Sequence, residues 1–271
     1  MVDKVIIMKK KNQIGIYFLI VCCLLIPDKG SFAQVGGISG SKLCVPDAGA
    51  VQKGKFEFEP SLSVFRSSKE FDSEWNLKSL NGFNDASILQ FRITLGVADG
   101  LEIGTSFSTT LEDIFIGSKA VLFSGAKSSM AILAGISLPA DNKTPDDTLA
   151  SDENKHSFSL GSTYSLVLSE VASLDLLFSY SVYSGHSQFN SALNYGASLG
   201  YKISDDLQAV MELNGYSTFK SSLYSVKLSV TPGITFRFST NLLLVLGEQI
   251  DLLGKNDFSG TNVFCAFTMS F

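Results

Sequence analysis

The chain has few charged residues, few cysteines and two histidines, and these shortages exclude several kinds of protein. Charged residues make up 17% of the 271, and no basic run occurs beyond roughly the first dozen positions, so a nucleic-acid-binding surface is not expected. The four cysteines and two histidines lack the spacing of zinc or redox motifs. We therefore expect no metal and no cofactor.

Catalysis has equally little support. The histidines, His156 and His186, are predicted at strand ends or in loops, and Ser157 and Ser159 face away from His156 on a strand. This spacing argues against a serine–histidine nucleophile. The acidic stretch between positions 141 and 153 has no EF-hand spacing. We expect a protein that is not an enzyme.

The longest apolar run lies at the N-terminus and indicates export. Three lysines at positions 9–11 precede the run Ile14–Ile26, which is shorter than the ~20 residues that a spanning helix needs. Small residues in Ser31–Ala33 fit a signal-peptidase site. We predict a cleaved signal peptide over residues 1–33 and one domain over residues 34–271. That domain keeps two cysteines, Cys44 and Cys265, which can pair only if the first and last strands are neighbours.

The last eleven residues form an alternating strand. Val263, Cys265, Phe267, Met269 and Phe271 share one face, and the residues between them are mostly small or polar. An apolar outer face and a terminal aromatic suit a strand that closes a barrel in a lipid bilayer. The ending also resembles the C-terminal signature of bacterial outer-membrane barrels. That resemblance implies that the barrel assembly machinery recognises Phe267, Met269 and Phe271.

Eleven further segments alternate in the same way, which predicts a twelve-stranded antiparallel barrel. Connections after the even-numbered strands are short, as periplasmic turns are, so both termini are expected in the periplasm. Pro232 and Gly233 predict a bulge in the tenth strand. The predicted strands are 55–66, 87–97, 101–110, 114–124, 128–138, 156–168, 172–184, 192–203, 207–218, 223–238, 241–251 and the closing strand 261–271.

If the apolar faces meet lipid, ten charged residues point into the lumen. In one interpretation they line a wet pore; in the other they pair across a narrow interior and seal it. Equal numbers of acidic and basic groups predict little ion selectivity. The ten are Glu57, Glu59, Arg92, Glu102, Lys119, Asp175, Lys202, Glu212, Lys227 and Arg237.

Three segments resemble a family of bacterial outer-membrane barrels described as transporters and grouped with the phenol meta-cleavage pathway. The first is the start of the domain, with Val45–Asp47 and Gly54–Glu57. The second is Glu112–Lys119, and the third is Gly135–Pro139. The resemblance implies a barrel and the uptake of small hydrophobic or aromatic compounds. It is carried best by Lys119, although Ala120 stands where the family often has tyrosine.

Together these patterns predict an all-β protein of the cell outer membrane that passes a small solute passively through a charge-lined lumen. The alternatives are a non-conducting barrel that is structural or binds a partner, and a soluble β-sandwich or secreted barrel. Expected partners are membrane lipid and lipopolysaccharide, the assembly machinery, periplasmic chaperones and a small-molecule solute, but no nucleic acid.

Overall fold

The computed structural model describes residues 36–40, 42–111, 113–139, 156–184, 190–220 and 222–271. The predicted signal peptide and the acidic stretch 141–153 lie outside these residues. No helix in the described ranges is long and apolar enough to cross a membrane. The strands are β1 Phe56–Phe71, β2 Leu77–Ala98, β3 Leu101–Ser108, β4 Asp113–Ser124, β5 Ser128–Pro139, β6 His156–Val167, β7 Ala172–Ser184, β8 Ser191–Lys202, β9 Leu207–Phe219, β10 Leu223–Ser239, β11 Leu242–Lys255 and β12 Asp257–Ser270.

The twelve strands form one closed antiparallel barrel in which each strand pairs with its neighbours in sequence. β1 and β12 pair to close it, so every strand is bonded on both edges, as a membrane-spanning sheet requires. At this seam the Phe56 and Phe271 backbones exchange hydrogen bonds. Their rings stack with centroids 4.6 Å apart. The predicted fold is confirmed.

Strand β7 shows how the sequence divides the barrel into two surfaces. Phe178 and Val182 are exposed on the outside, whereas Asp175, Ser179 and Ser181 are buried on the inside. Exposed apolar residues recur at alternate positions of the other strands, which gives the barrel a continuous outer surface suited to hydrocarbon. The barrel therefore spans the outer membrane with its polar residues facing the lumen.

The connections differ at the two ends of the barrel. At the end that holds Phe56 and Phe271, here called the turn end, the even-numbered strands are followed by turns of two to four residues. The opposite end is called the loop end. There the β1–β2 and β11–β12 hairpins run further than predicted, and a single residue, Asn256 at φ 51°, connects β11 to β12. The longer connection predicted between strands 241–251 and 261–271 is therefore wrong.

The bulge predicted at Pro232 and Gly233 is also wrong. Both residues keep regular register with β9, opposite Met211 and Val210. The irregularities of β10 against β11 lie after Leu228 and near its end instead. Proline lacks only a donor, so a strand accommodates it where the neighbouring ladder does not need that N–H.

We predict that Phe271→Ala weakens barrel closure. The change removes a stacked aromatic pair worth about 1 kcal/mol from the seam between the first and last strands. The heat-shift of the refolded protein on a detergent gel should occur at a lower temperature. Phe178→Ala removes an equally exposed aromatic away from the seam. Equal losses in the two variants would contradict a special role for the seam.

Candidate functional site

The lumen contains the N-terminal part of the chain itself. Residues 36–40 and 42–51, here called the plug, lie inside the barrel before the chain enters β1. Val45 and Ala48 are completely buried. The plug crosses the lumen: Ala48 N–H donates to Ser165 on β6, and the Thr163 hydroxyl donates to the Pro46 carbonyl. Among the described residues, the plug is the one segment that is not part of the wall or a strand connection.

One side of the plug is held by Glu102 on β3. Its carboxylate accepts the Ser39 N–H and hydroxyl at 2.5 Å and the Val51 N–H at 2.7 Å. Lys119 on β4 lies 3.5 Å from the same carboxylate and donates to the Ser39 carbonyl at 2.9 Å. Glu102 and Lys119 are both fully buried. This acidic–basic pair therefore binds both ends of the plug.

The opposite wall holds the plug through Glu212 on β9. Its carboxylate accepts N–H groups from three successive residues, with shortest distances of 3.2 Å to Leu43, 2.7 Å to Cys44 and 3.2 Å to Val45. Next to it, the Lys42 ammonium donates to Asp175 on β7 at 2.6 Å. An ionised carboxylate has only acceptors, so it suits a run of backbone donors.

Glycines on the wall give the plug its closest approach. A Cβ added at Gly104 would lie 1.9 Å from the Gly37 carbonyl oxygen, and one at Gly117 would lie 2.0 Å from that of Gly36. Gly37 itself has φ +83°, a conformation that side chains rarely adopt. The β3–β4 wall therefore accepts plug backbone only because it has no side chain at these two positions.

Leu43 supplies the apolar contact of the plug. It packs with the buried residues Val210, Val245 and Ala266, and it lies against Gly233. This cluster joins the plug to β9, β10, β11 and β12. A buried leucine contributes roughly 1.5–3 kcal/mol, comparable with one or two charged hydrogen bonds.

The remaining predicted lumen charges have separate surroundings. On β1 and β2, Arg92 lies 2.8 Å from Glu59 and 3.6 Å from Glu57, and it donates to the plug at the Ile38 carbonyl. Lys227, towards the loop end, contacts the Asp251 and Asp257 carboxylates at 3.5 and 3.4 Å.

Two of the ten charged residues lie at the turn end, away from the plug. Lys202 pairs with Asp205 in the turn after β8 at 2.6 Å, and its side chain is 47% exposed. Arg237 is exposed near the end of β10. The alternation pattern assigns all ten charged residues to the lumen in the same way, but the structure places these two at one end of the barrel and not beside the plug.

The plug is the functional element that sequence analysis misses, because the segment before β1 has no alternating pattern. Its composition of small residues and glycines is the available signal. Cys44, in the plug, and Cys265, on the outer face, are not joined in a disulfide. No cluster of three acidic, histidine or cysteine side chains suited to a metal occurs in the described part of the chain.

The sequence matches the model of a protein family described as "Putative MetA-pathway of phenol degradation" over residues 45–269. Among solved structures, an outer membrane channel from Pseudomonas putida F1 is similar, with 16% identity, a TM-score of 0.65, and coverage of 83% of this chain and 98% of that chain. The NanC porin is similar at 8% identity and a TM-score of 0.50, with 79% and 98% covered. At these identities the likeness to both is one of fold. No protein with a curated description matches the chain.

We predict that Glu212→Gln loosens the plug, with Cys44 as the reporter. Burial and the Glu212 carboxylate raise the pKa of the Cys44 thiol well above its ordinary value, so the thiol reacts slowly while the plug is seated. Losing charge-assisted bonds worth about 2 kcal/mol increases the unseated population about thirtyfold. In a Cys265→Ser background, the rate of maleimide labelling measures this change, and Gly104→Ala, which displaces the plug while the Glu212 charge is kept, should raise the rate as well.

Glu248→Gln is the matched control for this labelling experiment. Glu248 is exposed on β11, opposite the exposed Val263, so its charge does not contact the plug. Its neutralisation should leave the labelling rate unchanged. Equal rates in the Glu212 and Glu248 variants would contradict the assignment of Glu212 as an anchor of the plug.

Proposed function

The chain belongs to the MetA-pathway of phenol degradation family, and we propose that it is an outer-membrane channel closed by its own plug. When the plug leaves its seat, a small solute passes through the lumen by diffusion, without an energy source. The observation that carries this proposal is that a segment held by hydrogen bonds and ion pairs crosses a polar lumen.

The contacts that hold the plug against the wall favour a movable plug over a plug that fills the lumen permanently. Most of its contacts are hydrogen bonds and ion pairs, each worth only about 1–3 kcal/mol net because water can replace them. The wall behind the plug is hydrophilic, with buried hydroxyl groups at Thr163, Ser179 and Ser181. A barrel that served only as a scaffold would gain more stability from apolar side chains in its interior.

The orientation and processing of the chain complete the proposal. Cleavage after Ala33 would place the new N-terminus a few residues before Gly36, near the start of the plug. With the turn end in the periplasm, the plug joins β1 at the periplasmic end of the barrel. The C-terminal residues Phe267, Met269 and Phe271 present the signal that the assembly machinery and periplasmic chaperones recognise.

At this stage the class of solute is inferred from family membership alone. The family's description concerns phenol degradation, which favours a small aromatic or hydrophobic compound. The inner wall contains both hydroxyl groups and charges, which suits a compound that carries polar substituents. The competing function is a non-conducting barrel that binds a partner at the loop end, with the plug as a permanent part of the structure.

Two independent variants test whether plug displacement opens a channel. Gly104→Ala places a methyl group where the Gly37 carbonyl lies, and Leu43→Asp puts a charge into the apolar cluster of the plug. In planar bilayers, both should open more often than the unmodified protein, by at least about tenfold if the plug loses ~1.4 kcal/mol. Heat-shift gels establish that each variant folds.

Gly125→Ala is the matched control, since a Cβ there meets no atom closer than 3.4 Å in a turn outside the lumen. It should behave as the unmodified protein does. Silence from all the folded variants would reject the channel and favour the scaffold. Equal opening in Gly125→Ala would show that the conductance does not depend on the plug.

A further inference from the structure

A row of inward-facing residues on β7, β8 and β9 lies directly behind the plug. Asp175 is opposite Ser198, and Ser198 is opposite Glu212, in regular antiparallel register. All three are at most 3% exposed. Because neighbouring strands lie ~4.8 Å apart, the two carboxylates flank the serine across ~10 Å of wall.

The part of the wall between the two carboxylates has no side chains on either side of Ser198. Along β8 the inward neighbours of Ser198 are Gly196 and Gly200. A Cβ at Gly196 would lie 2.7 Å from the Val45 side chain, and one at Gly200 would lie 2.6 Å from Cε of Lys42. The two glycines thus create a trough that the plug fills. The buried Ser198 hydroxyl lies beside Glu212 without a hydrogen bond of normal geometry, so it has capacity for another partner.

The Val45 side chain and the Lys42 methylene groups fill the space above the two glycines. The plug groups that contact the two carboxylates are all hydrogen-bond donors, and one of them is a cation. The Lys42 ammonium contacts Asp175 at 2.6 Å and the Ser173 carbonyl at 3.4 Å, while three N–H groups contact Glu212. The plug therefore shows which ligand chemistry fits: a primary ammonium group with further donors.

The cations of the wall are engaged elsewhere. Arg92 contacts Glu57 and Glu59, and Lys119 contacts Glu102. Around the plug, the wall has three more carboxylates than cations. The carboxylates are those of Glu57, Glu59, Glu102, Asp175 and Glu212, and the cations are Arg92 and Lys119. When the plug leaves, Lys42 leaves with it, and Asp175 and Glu212 have no wall cation in contact among the described residues.

We propose that Asp175, Ser198 and Glu212 form the selectivity site of the open channel, which favours cations and binds solutes that carry a primary ammonium group. The inference rests on the proposed channel function and names the solute class of the same lumen. Rings of acidic side chains select cations by the same electrostatic principle. The plug closes the channel by occupying this site with its own ammonium and N–H groups.

The test uses the full-length Gly104→Ala variant, in which we expect the added methyl group to displace the plug without a change in charge. In a KCl gradient across a planar bilayer, its reversal potential should show a severalfold preference for K⁺ over Cl⁻. Adding Asp175→Asn and Glu212→Gln should abolish that preference. The primary diamine 1,4-diaminobutane should block the K⁺ current of Gly104→Ala, and the two added substitutions should remove the block.

The control adds Asp85→Asn and Glu248→Gln to Gly104→Ala. It makes the same change in net charge at exposed positions outside the lumen, and its K⁺ preference should persist. A channel that conducts without K⁺ preference, or whose preference survives neutralisation of Asp175 and Glu212, overturns the selectivity site but leaves the channel function standing. Folded Gly104→Ala and Leu43→Asp barrels that both conduct no current overturn the selectivity site and the channel function together.

Discussion

The structure depends on the bonds between buried carboxylates of the wall and the backbone N–H groups of the plug. A barrel in a bilayer has to turn its charged residues inward, and an ionised side chain away from water needs close partners. Glu102 and Glu212 find theirs in main-chain donors at five positions of one short segment, plus a serine hydroxyl. The plug has the converse need, because its irregular backbone leaves N–H groups that no strand satisfies.

This mutual dependence explains why the inward charges and the N-terminal segment form one unit. Removing either partner leaves the other with unpaired groups, which costs more than the net value of the bonds themselves. The glycines of β3, β4 and β8 contribute differently, since they let the plug backbone come close enough for those bonds to form. Electrostatics and shape therefore act on the same segment of the chain, the plug.

Periodicity alone is sufficient to predict the barrel, because lipid on one side and a polar lumen on the other impose an alternation that each strand records locally. It also places Glu102, Asp175 and Glu212 on the inner face. It does not distinguish them from Lys202 or Arg237, which share the same parity but lie at the turn end. Depth in the barrel depends on strand register, and the partners of an irregular segment depend on which strands meet across the lumen. Neither is encoded within ten residues of sequence, so the plug and the division of the charges appear only in the folded chain.

A lumen that binds its own plug through the groups that select its solute couples closure to selectivity. If Asp175 and Glu212 bound the plug more tightly, the channel would open less often, yet the same change would strengthen their attraction for a cation. The plug is tethered to β1, so its effective concentration at the trough is in the millimolar range or above. A free ammonium solute competes only when it is abundant or makes additional contacts. Because the plug is tethered and carries the same donor groups as the solute, closure by the plug favours solutes with more than one donor, such as a diamine, over simple monovalent ions.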